Sequence, residues 1–391
     1  MDGINKSMYD IASDSAFSIL ARTNELKSKG KDVINLCIGQ PDFSTPKNIV
    51  DAACKALRDG HHGYTASSGL LKLRESVASD LFKRNKVIVE PDQILISPGA
   101  KAIIFYTLLM FGQPGVEVIT PDPGFMAYKS LIDYTGAKPV FLPHRKEQNF
   151  SFNVDELLSL ITKKTRLIIL NSPGNPTGGV VPEKEFDKLA DELSKYPNIF
   201  ILSDEIYSKI TFNGCKHKTL LAYPQIKEQV IMMDGWSKSY AMTGWRLGYG
   251  IYPKKLFKFA EKLAINCHSC VNTATQIAGI EALENKLSQN FVEYMVRKFQ
   301  ERKDFMVSKL NEIKNIECCN PEGAFYVFPK ISKKNFNSSF ICSELLEKKF
   351  LATVPGSSFG KLGEGFLRIS YASDMKNLKK SITLLKEYMN E

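Results

Sequence analysis

The stretch VIMMDGWSKSYAMTGWRLG, residues 230–248, joins an apolar run of strand length to a turn of small residues that carries Lys238. An unbroken apolar run bounded by Asp and Gly is the pattern of a strand buried on both faces, as in a parallel sheet. Working outward, the same pattern recurs at ILIS (94–97), VEVIT (116–120), KPVFLP (138–143), RLIILN (166–171), FILSDE (200–205) and LGYGIY (247–252). Amphipathic stretches fill the gaps. PKNIVDAACKALRDG offers Pro46 for a first helical turn and Gly60 for a stop, and PEKEFDKLADELSKYP lies between Pro182 and Pro197. Strands alternating with helices predict the α/β class, with a mostly parallel seven-stranded sheet sandwiched by helices. After residue 285 the pattern changes to a long charged helix, NFVEYMVRKFQERKDFMVSKLNEI, the short strands GAFYVF and GFLRIS, and a last helix, KNLKKSITLLKEYM. That is an α+β module.

With 391 residues and 43% hydrophobic content, two domains are expected. No apolar run approaches the roughly 18 residues of a membrane span, and the start MDGINKSMYDIASDSAF lacks a signal-peptide core. A cytoplasmic protein with no membrane association is therefore expected. The net charge of +10 comes from Lys and Arg interspersed with acids, which argues against a nucleic-acid partner and suits an anionic small ligand. The eight cysteines have no disulfide-scaffold spacing and are read as reduced thiols. Cys267 and Cys270 flank His268 like half a zinc site, but no second pair follows, so no metal is expected.

Lys238 falls just past the carboxyl end of a strand, the edge of an open α/β sheet where ligands bind. A lysine there forms a Schiff base with an aldehyde once desolvation or nearby positive charge removes its proton. Arg246 supplies such charge, and its fork of donors also suits a phosphate. A lone Ser-Lys pair would ordinarily be solvated surface. Two further segments change that reading. FILSDEIY puts Asp204 at a strand's carboxyl edge, where a buried carboxylate needs a partner such as a protonated pyridine nitrogen, with Tyr207 close behind. NSPGNPTGG fixes a tight loop that holds the Asn175 amide at the same edge.

Together, NSPGNPTGG, SDEIYSKI, SKSYAMTGWRLG and LRISYA, in this order and separation, resemble the class I aminotransferases of the fold-type-I pyridoxal phosphate superfamily, from about Phe17 to the carboxyl terminus. The resemblance implies a homodimeric enzyme with pyridoxal 5′-phosphate as cofactor and amino acids and 2-oxo acids as substrates. It implies a large domain over 46–285 and a small, substrate-closing domain built from 1–45 and 286–391. Lys238 is then the lysine that binds the cofactor aldehyde and shuttles the substrate proton. Asp204 is the partner of the pyridinium nitrogen, Asn175 and Tyr207 are ligands of the ring phenolate, and Ser237 and Arg246 are phosphate ligands.

Further phosphate contacts are implied at Gly99, Ala100 and Lys101 in ISPGAKAIIF, where backbone amides open a helix. Phe125 in PDPGFMAY stands where the family stacks an aromatic, often Trp or Tyr, on the ring. Arg368 in FLRIS resembles the arginine that grips the substrate α-carboxylate, and Gly39 in LCIGQPDF the glycine whose backbone approaches it. Asn175 is implied as a substrate ligand as well. Tyr64 matches a tyrosine that reaches the phosphate of the neighbouring subunit, so a shared active site is expected. A carbon-sulfur β-lyase is the alternative within the superfamily, since fold alone does not separate the reactions. A cofactor-binding transcriptional regulator is disfavoured, because no helix-turn-helix pattern precedes IGQPDF. Aspartate or aromatic amino acids are the expected donors, with 2-oxoglutarate as acceptor. Lys101 and Arg22 are candidates for a group that reads a distal carboxylate.

Overall fold

The computed structural model describes residues 3–9, 11, 15–332 and 337–391. Every apolar run becomes a strand of one sheet: β1 (Ile94–Ser97), β2 (Glu117–Asp122), β3 (Lys138–Pro143), β4 (Thr165–Asn171), β5 (Phe200–Asp204), β6 (Val230–Gly235) and β7 (Gly248–Ile251). Their order across the sheet is β1-β7-β6-β5-β4-β2-β3. Neighbours run parallel except at β7, which opposes both β1 and β6. The reason lies in the Lys238 stretch. Between β6 and β7 the chain makes a short helix, Trp236–Ser239, and a 3₁₀ turn, Thr243–Trp245, so it re-enters the sheet at the edge it left. A parallel return would need a longer crossover over the sheet face.

Successive strand residues point to opposite faces. Leu167, Ile169, Leu202, Ile231 and Met233 join one apolar core with Ile103, Ile104 and Leu108 of the helix Lys101–Phe111. Ile168, Leu170, Ile201, Val230 and Met232 join a second core with Leu73 and Val77 of the helix Leu71–Asn85. Burial on both faces explains why these strands read as continuous rather than alternating apolar runs. The parallel register then sets Asn171 opposite Asp204, and Asp204 opposite Met233, so that the ends of β4, β5 and β6 share one edge.

Helix punctuation differs in detail from the expectation. Pro46 precedes the helix Lys47–Arg58 instead of lying in its first turn, and Gly60 beyond its end adopts φ +87°. The long helix starts earlier than Asn290, at Lys286, because the Asn285 side chain accepts a 2.8 Å hydrogen bond from the Leu287 N–H and caps it there. It runs to Asn311, and the last helix spans Met375–Asn390.

The short strands β8 (Tyr326–Val327), β9 (Val354–Pro355) and β10 (Leu367–Ser370) form an antiparallel sheet in the order β8-β10-β9. The chain's beginning is sewn onto this module. Ile34–Asn35 pairs in parallel with Leu351–Ala352, and the Ser370 N–H donates to the Leu36 carbonyl at 2.9 Å. Those pairings hold Cys37–Gly39 beside Arg368.

Candidate active site

Lys238 occupies the short helix that follows β6. The turn is held by Asp234, whose carboxylate accepts from the Gly235 N–H at 2.6 Å and from the Ser208 hydroxyl at 2.8 Å. The Lys238 ammonium donates to the Gly39 carbonyl at 2.5 Å and sits 5.8 Å from the centre of the Phe325 ring. Burial, reinforced by the positive charges of Arg368, Arg246 and Lys101, brings its pKa down to about 7, against the opposing pull of Asp204. The neutral, nucleophilic amine is thus within reach near neutral pH.

Asp204 ends β5 and is 4% exposed. Burial, with smaller contributions from Asp234 and Glu205, raises its carboxyl to about 6, while a 2.5 Å hydrogen bond from the Tyr128 hydroxyl and one of 3.2 Å from the Ile206 N–H favour the charged form. Tyr128 escaped the sequence reading. Its signal was its place three residues after Phe125, where the helix Met126–Tyr134 starts, and the two rings meet edge to face at 5.6 Å.

The Asn175 N–H donates to the Asn171 side chain at 2.8 Å, and its Oδ1 accepts from Arg368 Nη1 at 3.0 Å. The Tyr207 hydroxyl lies 2.8 Å from that of Tyr326. Tyr326 too was missed, because GAFYVF reads only as a strand. Its hydroxyl passes so close to Gly39 that a Cβ there would stand 2.0 Å from it, which is why this position takes glycine.

Arg368, on β10, is 3% exposed. Its guanidinium lies between the Tyr326 and Phe359 rings, at 4.7 and 4.9 Å from their centres. Nη2 donates to the Cys37 carbonyl, whereas Nε is buried without a hydrogen-bond partner. A buried donor left open costs about 1–3 kcal/mol. A bound carboxylate would satisfy it.

Gly99 and Ala100 open the helix Lys101–Phe111, with Gly99 at φ +86° and Ala100 as its N-cap. A Cβ on Gly99 would come 2.2 Å from the Arg246 guanidinium, so the glycine lets that cation lie over the helix start. Ser237 is 7% exposed, beside Lys238. The cradle therefore combines helix amides, a hydroxyl and an exposed arginine, the donor set of a phosphate site. Lys101 places its ammonium 5.1 Å from the Phe125 ring centre. Of the two cations that could serve a distal carboxylate, Arg22 is paired elsewhere. It makes a bidentate pair with Glu347, at 2.7 and 2.8 Å, and meets Glu25 at 2.6 Å.

Tyr64 is 91% exposed and lines a surface groove of about 430 Å³ with Gly60, His61, Arg74 and Thr273. Cys267 and Cys270 are free thiols, and the His268 ring bonds the Tyr106 hydroxyl at 3.0 Å. Among the described residues no three His, Cys, Asp or Glu side chains gather as metal ligands, and no helix is long and apolar enough to cross a membrane.

Residues 31–385 match the family described as "Aminotransferase class I and II". The chain is 37% identical over its whole length to a probable aspartate/prephenate aminotransferase of Aquifex aeolicus, covering 99% of that protein. It is 41% identical over 357 residues, 90% of each chain, to an aspartate aminotransferase of Pyrococcus horikoshii. The crystal structure of the aspartate aminotransferase from Rhizobium meliloti superposes with a TM-score of 0.94 at 32% identity, covering 100% of this chain and 99% of that one.

Proposed function

The chain belongs to the class I and II aminotransferase family and is an aminotransferase, and from that premise we propose that it uses pyridoxal 5′-phosphate, with Lys238 as the cofactor lysine, to move an amino group from an L-amino acid to 2-oxoglutarate. The observation that carries this reading is the buried Lys238 amine in the short helix just past β6, held against the Gly39 carbonyl and brought down to about 7 by burial and then by the Arg368 charge, against the pull of Asp204. When bound, the cofactor supplies an aldehyde and a protonated ring that draws electrons from the substrate α-carbon.

The chain's own residues divide the remaining work. Lys238, its amine brought down to about 7, takes the proton from the substrate Cα and returns it on the far side of the transfer. Asp204 holds the ring N–H, with Tyr128 donating to the same carboxylate. Asn175 and Tyr207 bind the ring phenolate oxygen, and Phe125 stacks on the ring. Gly99, Ala100, Lys101, Ser237 and Arg246 hold the phosphate. Arg368 binds the substrate α-carboxylate, using the buried Nε that the fold leaves open, beside Asn175 and the backbone of Gly39.

For the donor, we propose a dicarboxylic amino acid. Lys101 bears on Lys238 electrostatically and lies over Phe125, which supports it as the distal-carboxylate group in addition to its place at the phosphate. We propose domain limits of 46–285 for the cofactor domain and 1–45 with 286–391 for the closing domain, supported by the pairing of Ile34–Asn35 with Leu351–Ala352. A homodimer is proposed because Tyr64, exposed on one chain, is then free to reach the phosphate of its neighbour. A cytoplasmic location fits eight free thiols.

The test is to mix pure protein, pyridoxal 5′-phosphate, aspartate and 2-oxoglutarate. Glutamate formed without release of ammonia or pyruvate supports transfer. No glutamate from aspartate, with ammonia, pyruvate and homocysteine released when cystathionine replaces it, would point to β-elimination and overturn it.

A further inference from the structure

Asp122, the last residue of β2, is a buried carboxylate with no role in the chemistry proposed above. It is 3% exposed, and both of its oxygens are spent on backbone N–H groups of a distant loop: Oδ2 accepts from Lys361 at 3.2 Å and Oδ1 from Leu362 at 3.1 Å. A third bond runs alongside, from the Gly124 N–H to the Phe359 carbonyl at 2.8 Å. The residue between, Gly360, has φ +131°, and a Cβ there would stand 2.1 Å from Asp122 Oδ1. Only glycine combines that backbone conformation with so close an approach.

What these bonds connect gives them meaning. On the β2 side, the turn after Asp122 carries Phe125. On the other side, the loop carries Phe359, 3% exposed, whose ring lies 4.9 Å from the Arg368 guanidinium. We infer that Asp122 is a positioning residue for carboxylate recognition: with Gly360 it latches the Phe359 loop onto the Phe125 turn, and so sets the Arg368 fork relative to the cofactor face. This rests on the reading of Arg368 as the α-carboxylate ligand and Phe125 as the stacking aromatic. A bidentate guanidinium contact depends on orientation, so a loosened Phe359 platform weakens carboxylate binding while leaving the Lys238 and phosphate groups in place.

The test uses the cofactor-loaded enzyme in four forms: Asp122→Asn, Asp122→Ala, Gly360→Ala and Arg368→Lys. Binding of an unreactive dicarboxylate, maleate, is measured by calorimetry, together with KM, kcat and the cofactor dissociation constant. Asp122→Asn keeps the shape and one acceptor, so it folds even where Asp122→Ala does not. The latch predicts about tenfold weaker maleate binding and a similar rise in KM in Asp122→Ala and Gly360→Ala, a smaller loss in Asp122→Asn, and kcat and cofactor affinity within about twofold of wild type. Wild-type maleate affinity in the Asp122 and Gly360 variants, with loss only in Arg368→Lys, would overturn the latch and leave the Arg368 reading standing. Wild-type affinity in Arg368→Lys as well would overturn that reading instead. Equal losses of cofactor and maleate affinity would also refute the latch, since that pattern marks general loosening.

Discussion

Replacing Asp204 by Asn should make the cofactor-free protein more stable at neutral pH while disabling the enzyme. The wild-type carboxyl is raised by burial to about 6, against an ordinary 3.8. A group whose folded pKa is raised binds more protons folded than unfolded between those two values, so stability falls as pH climbs from about 4 to 6 and stays low above. The difference corresponds to about 3 kcal/mol. Asn has no charge to desolvate and keeps both contacts: its oxygen can accept from the Ile206 N–H, and its amide can donate to the Tyr128 hydroxyl in place of the present bond. With about 2 cal/mol/K of unfolding entropy per residue, 3 kcal/mol is a rise of roughly 4 °C in Tm for a chain of this length. The assay is thermal unfolding of cofactor-free wild type and Asp204→Asn at pH 4 and pH 8. The variant should melt higher at pH 8 and level with wild type at pH 4. With cofactor restored, its kcat/KM should fall on the order of 100-fold or more, because the ring nitrogen loses its anionic partner. An equal or lower Tm at pH 8, or the same gain at both pH values, would refute the burial argument.

Three other outcomes follow from the same geometry. Cofactor-free protein should form a borohydride-fixable adduct with pyridoxal 5′-phosphate at a rate that rises through about pH 7 and then levels off, as the depressed Lys238 amine loses its proton, and Lys238→Ala should form none; a rate still climbing toward the ordinary lysine range would contradict the depressed pKa. Arg368→Lys, which keeps the charge but loses the fork, should raise KM for both amino and oxo acids on the order of 10–100-fold with a smaller change in kcat, measured by steady-state kinetics; an unchanged KM would remove Arg368 from the substrate site. If Tyr64 serves the neighbouring site, mixing Tyr64→Ala with Lys238→Ala subunits should yield up to about a quarter of wild-type activity, since each mixed dimer holds one site with both native residues; activity no higher than that of the separate preparations would argue against sharing.

The segments proposed to carry the chemistry were legible because each is local. An apolar run bounded by Asp and Gly marks β6 and places Lys238 after it, and FILSD places Asp204 at the end of β5. Periodicity and caps locate such elements without any long-range knowledge, since both arise from a chain's nearest neighbours. Tyr128 and Tyr326 show the limit. Their hydroxyls meet Asp204, 76 positions away, and Tyr207, 119 positions away, and an aromatic in an amphipathic stretch looks the same whether it packs or donates a hydrogen bond.

From residue order alone came the strands, the helices between them, the α/β class and, through a family resemblance, the set of groups able to hold a phosphate, a ring and a carboxylate. Folding in three dimensions decided the rest: the reversed direction of β7, the pairing of Arg22 with two glutamates, the open Nε of Arg368 and the amine of Lys238 brought down to about 7. All but the first depend on desolvation or on charges brought close through space. Such energies are set by distance and burial, and neither quantity exists until the sheet has brought the ends of β4, β5 and β6 to one edge.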